Sequence, residues 1–235
     1  MLWRAIESGV AQPQRGNEDR GALQDAPTGQ LMGLPVRVGG TTLGPHRHIC
    51  AFFNTHDDHY RVLLPFIKEG FDRGEKAVHI VDPRRRAHHV GQLSTIGIDA
   101  TAAQGDGRLD LREWSDAHLQ DGVFNQDRTL RLIGEIRRRS AEDGFPRIRF
   151  VTHMEWALEN SSAVEALLEY EARANLAPSE DFVVCAYDLS KFGGDVVVDV
   201  MRTHPLILIG GIVQENPFFV PPDQFLQELS ERRGR

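Results

Sequence analysis

A histidine and a cysteine begin the first strongly apolar segment of the chain, HICAFF at residues 48–53. Side chains two positions apart on a β-strand point to the same side and lie about 6.6 Å apart. His46, His48 and Cys50 therefore share one face. Imidazole nitrogen and thiolate sulfur bind soft transition metals. The pattern offers a metal site at His48 and Cys50, or a buried cysteine beside a hydrogen-bonded histidine.

Polar side chains also occur near the ends of later apolar segments. Alternation along a strand places His153 and Glu155 on one face of the segment RFVTHMEWAL, where they could bind a ligand or act as acid and base. Tyr187 and Asp188 end the segment VVCAYDL, and His204 precedes the segment PLILIG. A few polar groups in a mostly apolar pocket are typical of a small-ligand site. The candidate ligand-binding residues are His48, Cys50, His153, Glu155, Tyr187, Asp188 and His204.

Apolar strand patterns alternate with helical patterns from His46 onward, which predicts βαβ units and a three-layer α/β domain with a mostly parallel sheet. Ser161 and Ser162 are candidate N-caps. Strands are predicted at 48–53, 77–81, 107–113, 148–156, 182–187 and 206–210, and helices at 57–73, 84–96, 125–143, 163–176, 196–202 and 223–232. Ligands of such sheets bind beyond the carboxyl ends of the strands, so we expect the site there.

The first 44 residues are rich in Gly, Gln, Asp, Pro and Arg and show no sustained period. They predict a flexible or partner-dependent arm, with a short helix at 1–10 and a short strand at 31–38. Residues 45–235 form the predicted domain. No export signal is visible at the start of the chain, and two cysteines cannot build a disulfide framework, so we expect a cytoplasmic protein.

Charge and motif content exclude several functions. A net charge of −7 argues against direct nucleic-acid binding, which requires a basic face. The apolar runs are shorter than a membrane span. The loop after HICAFF, NTHDDHYRVL, contains no glycine or lysine to hold a phosphate, so no nucleotide cofactor is expected and the cofactor stays unknown. Surface positions are predicted for the histidines His56, His59, His88, His89 and His118.

Five segments resemble the MEDS domain, the sensory domain of methanogen and methylotroph regulators. They are HICAFF, GEKAVHIVD, THMEWAL, VVCAYDLSKF and RTHPLILIGGIVQENPFFVPPDQFL, and the similarity covers residues 46–229. It implies a RecA/KaiC-like fold without the phosphate loop and a role in sensing small hydrocarbon derivatives. The positions that match the polar motif residues of the family are His48, Cys50, Glu155, Tyr187, Asp188 and His204.

The leading hypothesis is a cytoplasmic, non-enzymatic sensor that binds a small hydrocarbon-derived or one-carbon ligand. It would signal through a protein such as a kinase or a transcription regulator, or through a homodimer. One alternative is a metal- or haem-binding redox sensor that uses His48, Cys50 and His153. Another is an enzyme with Cys50 as nucleophile and His153 or Glu155 as base. The last is an interaction domain whose pocket binds nothing.

Overall fold

The computed structural model describes residues 35–159, 163–176 and 180–234. The predicted helix at 1–10, the caps Ser161 and Ser162, and the part of the predicted strand before residue 35 lie outside the described residues. None of the described helices is both long enough and apolar enough to cross a membrane.

Seven strands form one sheet in the order β5-β4-β6-β7-β3-β8-β9, and two short strands form a separate hairpin. All neighbouring pairs in the large sheet are parallel except β8 and β9. The predicted mostly parallel α/β sheet is therefore confirmed. The strands are β1 (Arg37–Val38), β2 (Thr41–Thr42), β3 (His48–Phe53), β4 (Lys76–Val81), β5 (Leu109–Glu113), β6 (Ile148–His153), β7 (Phe182–Asp188), β8 (Leu206–Ile209) and β9 (Ile212–Glu215).

Helices cover both faces of the sheet and complete the three layers. The helices are α1 (His56–Asp72), α2 (Arg86–Thr95), α3 (Ala100–Gly105), α4 (Gln126–Glu142), α5 (Ala163–Ala174), α6 (Gly194–Arg202) and α7 (Pro222–Arg233). Apolar side chains of α1, α2 and α3 pack with one face of the sheet. Those of α4, α5, α6 and α7 pack with the other face.

Strand parity decides which layer each polar side chain meets. All six residues of β3 are buried, as expected for a central parallel strand that helices cover on both sides. Ile49 and Ala51 belong to the α1–α3 face, whereas Cys50 and Phe52 belong to the α4–α7 face. His48 shares the parity of Cys50, so it faces α5.

Local signals define the helix ends where the sequence predicts them. The Thr55 hydroxyl accepts a hydrogen bond from the Asp58 amide at the start of α1, at 3.1 Å. The Asn125 side chain does the same for the Arg128 amide at the start of α4, at 2.9 Å. Beyond the other end of α1, Gly74 has a φ of 70°, which favours glycine.

Two parts of the fold differ from the prediction. β6 ends at His153, and Met154–Leu158 forms a 3₁₀ turn, so Glu155 does not continue the strand face of His153 as predicted. After β8, the Gly210–Gly211 turn has φ values of 60° and 80° and reverses the chain into the unpredicted strand β9. Two glycines between apolar runs are a hairpin signal, although the strand predicted at 206–210 includes the first of them.

A small hairpin lies within the residues assigned to the N-terminal arm. β1 and β2 pair antiparallel through the turn Gly39–Gly40, and the side chain of Val38 is buried with the apolar core of the α1 face. A Cβ on Gly39 would lie 2.0 Å from the carbonyl oxygen of Gly211. Glycine is therefore required where this turn meets the β8–β9 turn.

Arg149 of β6 crosses the α1 face as a fully buried cation. Its guanidinium pairs with the buried carboxylate of Glu75 and lies 3.0 Å from a carboxylate oxygen of Glu69. It also donates to the carbonyl of Phe66. A Cβ on Gly70 of α1 would lie 2.7 Å from Arg149 Cδ. Glycine at this position therefore leaves the space that the Arg149 side chain occupies.

We expect Glu75→Gln to lower the free energy of unfolding by about 3 kcal/mol, because it leaves the buried guanidinium only partly compensated. Urea denaturation measures the change. Glu142→Gln is the matched control, since Glu142 forms an exposed ion pair with Arg138 that contributes less than about 1 kcal/mol. Equal effects of the two substitutions would contradict the prediction.

Candidate functional site

Four buried side chains from four parts of the chain converge on the α4–α7 face of the sheet. They are His48 at the start of β3, Glu171 of α5, Cys185 of β7 and His204 just before β8. One nitrogen, sulfur or oxygen atom from each lies within 4.8 Å of the others. We call this group the histidine–carboxylate cluster.

The carboxylate of Glu171 occupies the centre of this cluster. Its Oε2 lies 3.2 Å from Nε2 of His48 and 3.5 Å from Nε2 of His204. The Cys185 sulfur lies 3.6 Å from the same oxygen and 3.4 Å from Nε2 of His48. When the imidazoles are neutral and the thiol has lost its proton, the two Nε2 atoms, Oε2 and Sγ are all hydrogen-bond acceptors with lone pairs available to a positive group.

Outer hydrogen bonds hold both histidines in one tautomer. The Asn175 amide nitrogen donates to the Thr203 carbonyl at 2.8 Å, so the Asn175 oxygen faces Nδ1 of His48 at 3.1 Å. Nδ1 of His204 lies 2.9 Å from the Val200 carbonyl. Because both Nδ1 atoms face acceptors, each carries a hydrogen. Each neutral ring therefore presents the lone pair of Nε2 to Glu171.

Burial and the charge of Glu171 together raise the pKa of the Cys185 thiol well above its ordinary value. Burial also raises the pKa of the Tyr187 phenol, whose hydroxyl donates to Oε1 of Glu171 at 2.6 Å. Burial alone would raise the pKa of Glu171, but attraction to His204 and His48, which requires a proton on Nε2 of those rings, brings it well below its ordinary range. The carboxylate is thus an anion that needs a positive partner.

A cavity of about 540 Å³ lies between this face of the sheet and helices α4 and α5. His48 and Cys185 form part of its wall, so the cluster borders the cavity. About half of the lining side chains are apolar, and they include Ile80, Leu130, Ile133, Phe150 and Val183. The cavity, called the interior cavity below, reaches the surface at the exposed residues Pro45, His46 and Leu176. It has the volume and the mixed lining of a small-ligand site.

His118 also lines the interior cavity. Its ring stacks on Trp156, with centroids 4.7 Å apart and planes 9° apart. Neither ring nitrogen has a hydrogen-bond partner among the described residues, and burial lowers the pKa of His118 to about 3. A buried, neutral imidazole without a partner is available to a polar group on a ligand.

The carboxyl edge of the sheet holds the remaining predicted residues. His153, Glu155 and Asp188 border a space of only about 10 Å³, about the minimum for one water. Lys191 lies 3.7 Å from Glu155 and 3.8 Å from Asp188. Burial raises the pKa of the Glu155 carboxyl. A more open groove of about 550 Å³ lies nearby, and most of the side chains along it are charged.

Three histidines predicted at the surface are instead buried. They are His59, His89 and His118, with exposed fractions of 4%, 0% and 1%. Nε2 of His89 lies 2.9 Å from Nδ1 of His79, and Nδ1 of His89 lies 3.1 Å from the Tyr60 hydroxyl. Polar neighbours on other elements permit the burial of His89, and stacking on Trp156 accompanies that of His118. A single sequence does not reveal these neighbours.

The structure therefore separates the predicted site residues between two faces. His48, Cys50 and Tyr187 lie on the face of the cluster, whereas His153 lies on the α1–α3 side beside His59. Cys50 is not part of the cluster; its thiol donates to the Leu206 carbonyl at 3.5 Å. The sulfur beside His48 belongs to Cys185 of the neighbouring strand β7, whose register pairs Val183 with His48 and Cys185 with Cys50.

Sequence reasoning missed Glu171 and the role of Cys185. Both left a signal. Cys185 is two residues before Tyr187 on a strand and therefore shares its face. Glu171 follows Leu167 by four residues and Leu168 by three, so the apolar stripe of α5 contains a carboxylate.

Fold and site together define an α/β domain with a ligand-sized cavity against one face of its sheet. The family described as "MEthanogen/methylotroph, DcmR Sensory domain", MEDS, matches residues 47–205. The chain belongs to this family, as its sequence segments predicted. The match supports a sensory or regulatory role.

The known proteins that are similar to this chain include a repressor and a KaiC-like protein. The transcriptional repressor DcmR of Methylorubrum extorquens is 22% identical over 208 residues, which are 85% of this chain and 71% of the repressor. The crystal structure of a KaiC-like protein from Pyrococcus horikoshii matches with a TM-score of 0.49 and 14% identity, and covers 72% of this chain and 73% of that one.

We expect acid to destabilise the fold through His89. Burial lowers its pKa to about 3, whereas an unfolded histidine titrates near about 6.5. The unfolded state therefore gains protons first, and stability falls as pH drops below about 6.5. From about pH 7.5 to about pH 5.5, this histidine costs about 1.4 kcal/mol.

Urea denaturation of His89→Gln at both pH values measures this contribution. The variant should lose less stability on acidification than the wild type, by about 1.4 kcal/mol. An exposed residue on the same helix that does not titrate supplies the control, since Ser94→Ala should keep the wild-type pH dependence. An unchanged pH dependence in His89→Gln would show that the assignment is wrong.

Proposed function

We propose that this chain is a cytoplasmic, non-enzymatic sensory module that binds a small, mostly apolar molecule in the interior cavity. The carrying observation is that a MEDS domain contains a ligand-sized cavity whose lining is about half apolar and also includes buried polar groups and the arginines Arg47, Arg137 and Arg173. A polar group on the ligand would meet His118, which lacks a hydrogen-bond partner among the described residues.

The volume of the cavity bears on the class of ligand. About 540 Å³ is many times the roughly 30 Å³ that one water occupies. A one-carbon molecule would leave most of this space to solvent, so we favour a larger hydrocarbon derivative with one polar group. The charged groove at the carboxyl edge fits such a ligand less well, because Arg84 there already pairs with Asp82 and Glu159.

A signal requires that the ligand favour one arrangement of the domain over another. Helix α5 is the element that could respond, because Tyr170 and Arg173 border the cavity while Glu171 holds the cluster. We propose that a shift of α5 changes the surface presented to a regulatory protein. The chemistry of Cys50 does not favour an enzyme, since burial raises the pKa of its thiol well above the ordinary value.

Helix α4 allows the cavity to be filled without disturbing the core. Gly134 lies on the face of α4 that borders the cavity, and a Cβ there would meet no atom within 4 Å. We expect Gly134→Leu to lower the affinity for the fluorescent probe 1-anilinonaphthalene-8-sulfonate at least about tenfold, because the leucine occupies the binding space. Fluorescence titration measures the affinity, and native mass spectrometry reports any molecule retained from the cell.

The matched control is Gly91→Leu on α2, on the opposite side of the sheet, where a Cβ also has open space. It should bind the probe as the wild type does. Equal binding by the wild type and Gly134→Leu would overturn the proposed site.

We also expect His118→Phe to separate apolar from polar recognition. Phenylalanine keeps a ring to stack on Trp156 but removes both ring nitrogens. The affinity for a retained or screened ligand with a hydroxyl or carbonyl group should fall about tenfold, while the affinity for its hydrocarbon analogue should not. Isothermal titration calorimetry with the polar ligand and with its hydrocarbon analogue measures both affinities. An equal loss of affinity for the two compounds would contradict a polar contact with His118.

A further inference from the structure

The histidine–carboxylate cluster has the donor set of a tetrahedral metal site, and we propose that it binds one Zn²⁺ ion. The ligands are Nε2 of His48, Oε2 of Glu171, Sγ of Cys185 and Nε2 of His204. Nitrogen, sulfur and carboxylate oxygen are the ligands of zinc in proteins. This proposal stands apart from ligand binding in the cavity and does not depend on it.

Four of the six distances between the donor atoms lie near those of a zinc site, and all six are within 4.8 Å. Zinc binds nitrogen and oxygen at about 2.0–2.2 Å and sulfur at about 2.3 Å, so the edges of a tetrahedral site are about 3.3–3.7 Å. The measured separations from Oε2 of Glu171 are 3.2 Å to His48, 3.5 Å to His204 and 3.6 Å to Cys185. Sγ of Cys185 is 3.4 Å from Nε2 of His48.

The surrounding hydrogen bonds orient each ligand as they do in metalloproteins. Nδ1 of His48 donates to Asn175, and Nδ1 of His204 donates to a backbone carbonyl. The Tyr187 hydroxyl occupies Oε1 of Glu171, so Oε2 is the oxygen left for the ion. Nε2 of His204, which is fully buried, has no hydrogen-bond partner among the described residues.

Charge also balances when the thiol loses its proton on binding. One Zn²⁺ offsets the carboxylate of Glu171 and the thiolate of Cys185, and the two imidazoles remain neutral. The rival arrangement is a proton shared between Glu171 and a histidine. That proton would compensate the carboxylate but would leave Nε2 of the other imidazole without a hydrogen-bond donor.

The chain contains two cysteines, which makes the sulfur ligand identifiable. The test strips the full chain with a chelator, reloads it with Zn²⁺ or Co²⁺, and measures stoichiometry by elemental analysis and Co²⁺ binding by absorbance. The wild type should bind one ion. Its Co²⁺ form should show visible bands of tetrahedral geometry and a near-ultraviolet band from thiolate charge transfer.

Cys50→Ser is the decisive variant, because Cys185 is then the remaining thiol. It should keep the stoichiometry and the charge-transfer band. Cys185→Ser should lose that band and bind the ion about 100-fold more weakly. Where Cys185→Ser does not fold, the Cys50→Ser spectrum alone identifies the sulfur.

Folded wild-type protein that binds less than about a tenth of an equivalent of either ion would overturn the proposal and favour the shared proton. Loss of the charge-transfer band in Cys50→Ser would overturn the assignment of Cys185. Neither result would affect the proposed cavity, because Gly134→Leu and the probe titration test that site separately.

Discussion

The buried carboxylate of Glu171 is the constraint around which one side of this molecule is organised. An anion removed from water must be compensated by hydrogen bonds or by positive charge. The two oxygens of this carboxylate lie close to polar atoms of four side chains, those of His48, Cys185, Tyr187 and His204. Three strands and a helix must therefore keep their relative positions for the charge to be tolerated.

The other face of the sheet meets an analogous constraint with the opposite charge. There the guanidinium of Arg149 is buried under α1 and compensated by Glu75 and Glu69. The two faces thus bury one ionic network each, and both networks connect a helix to the sheet. Networks of this kind restrict how a helix can move, because displacement leaves an unpaired charge. A ligand beside α5 would act against such a restriction.

Much of the fold could be predicted from the sequence because it depends on local patterns. Apolar runs of strand length and of helical spacing are contained in short windows. The prediction was wrong where two interpretations of a window compete. Beyond His153 the chain turns instead of extending, and after Ile209 two glycines begin a hairpin.

The sequence by itself determined the class of fold, the family and the histidine, His48, that begins strand β3. Only the tertiary structure decided that Cys185 and Glu171, rather than Cys50, lie beside His48. The reason is that strand order and register place residues 137 positions apart in contact. Long-range contacts of that kind depend on how the helices and strands pack, and no local period records them.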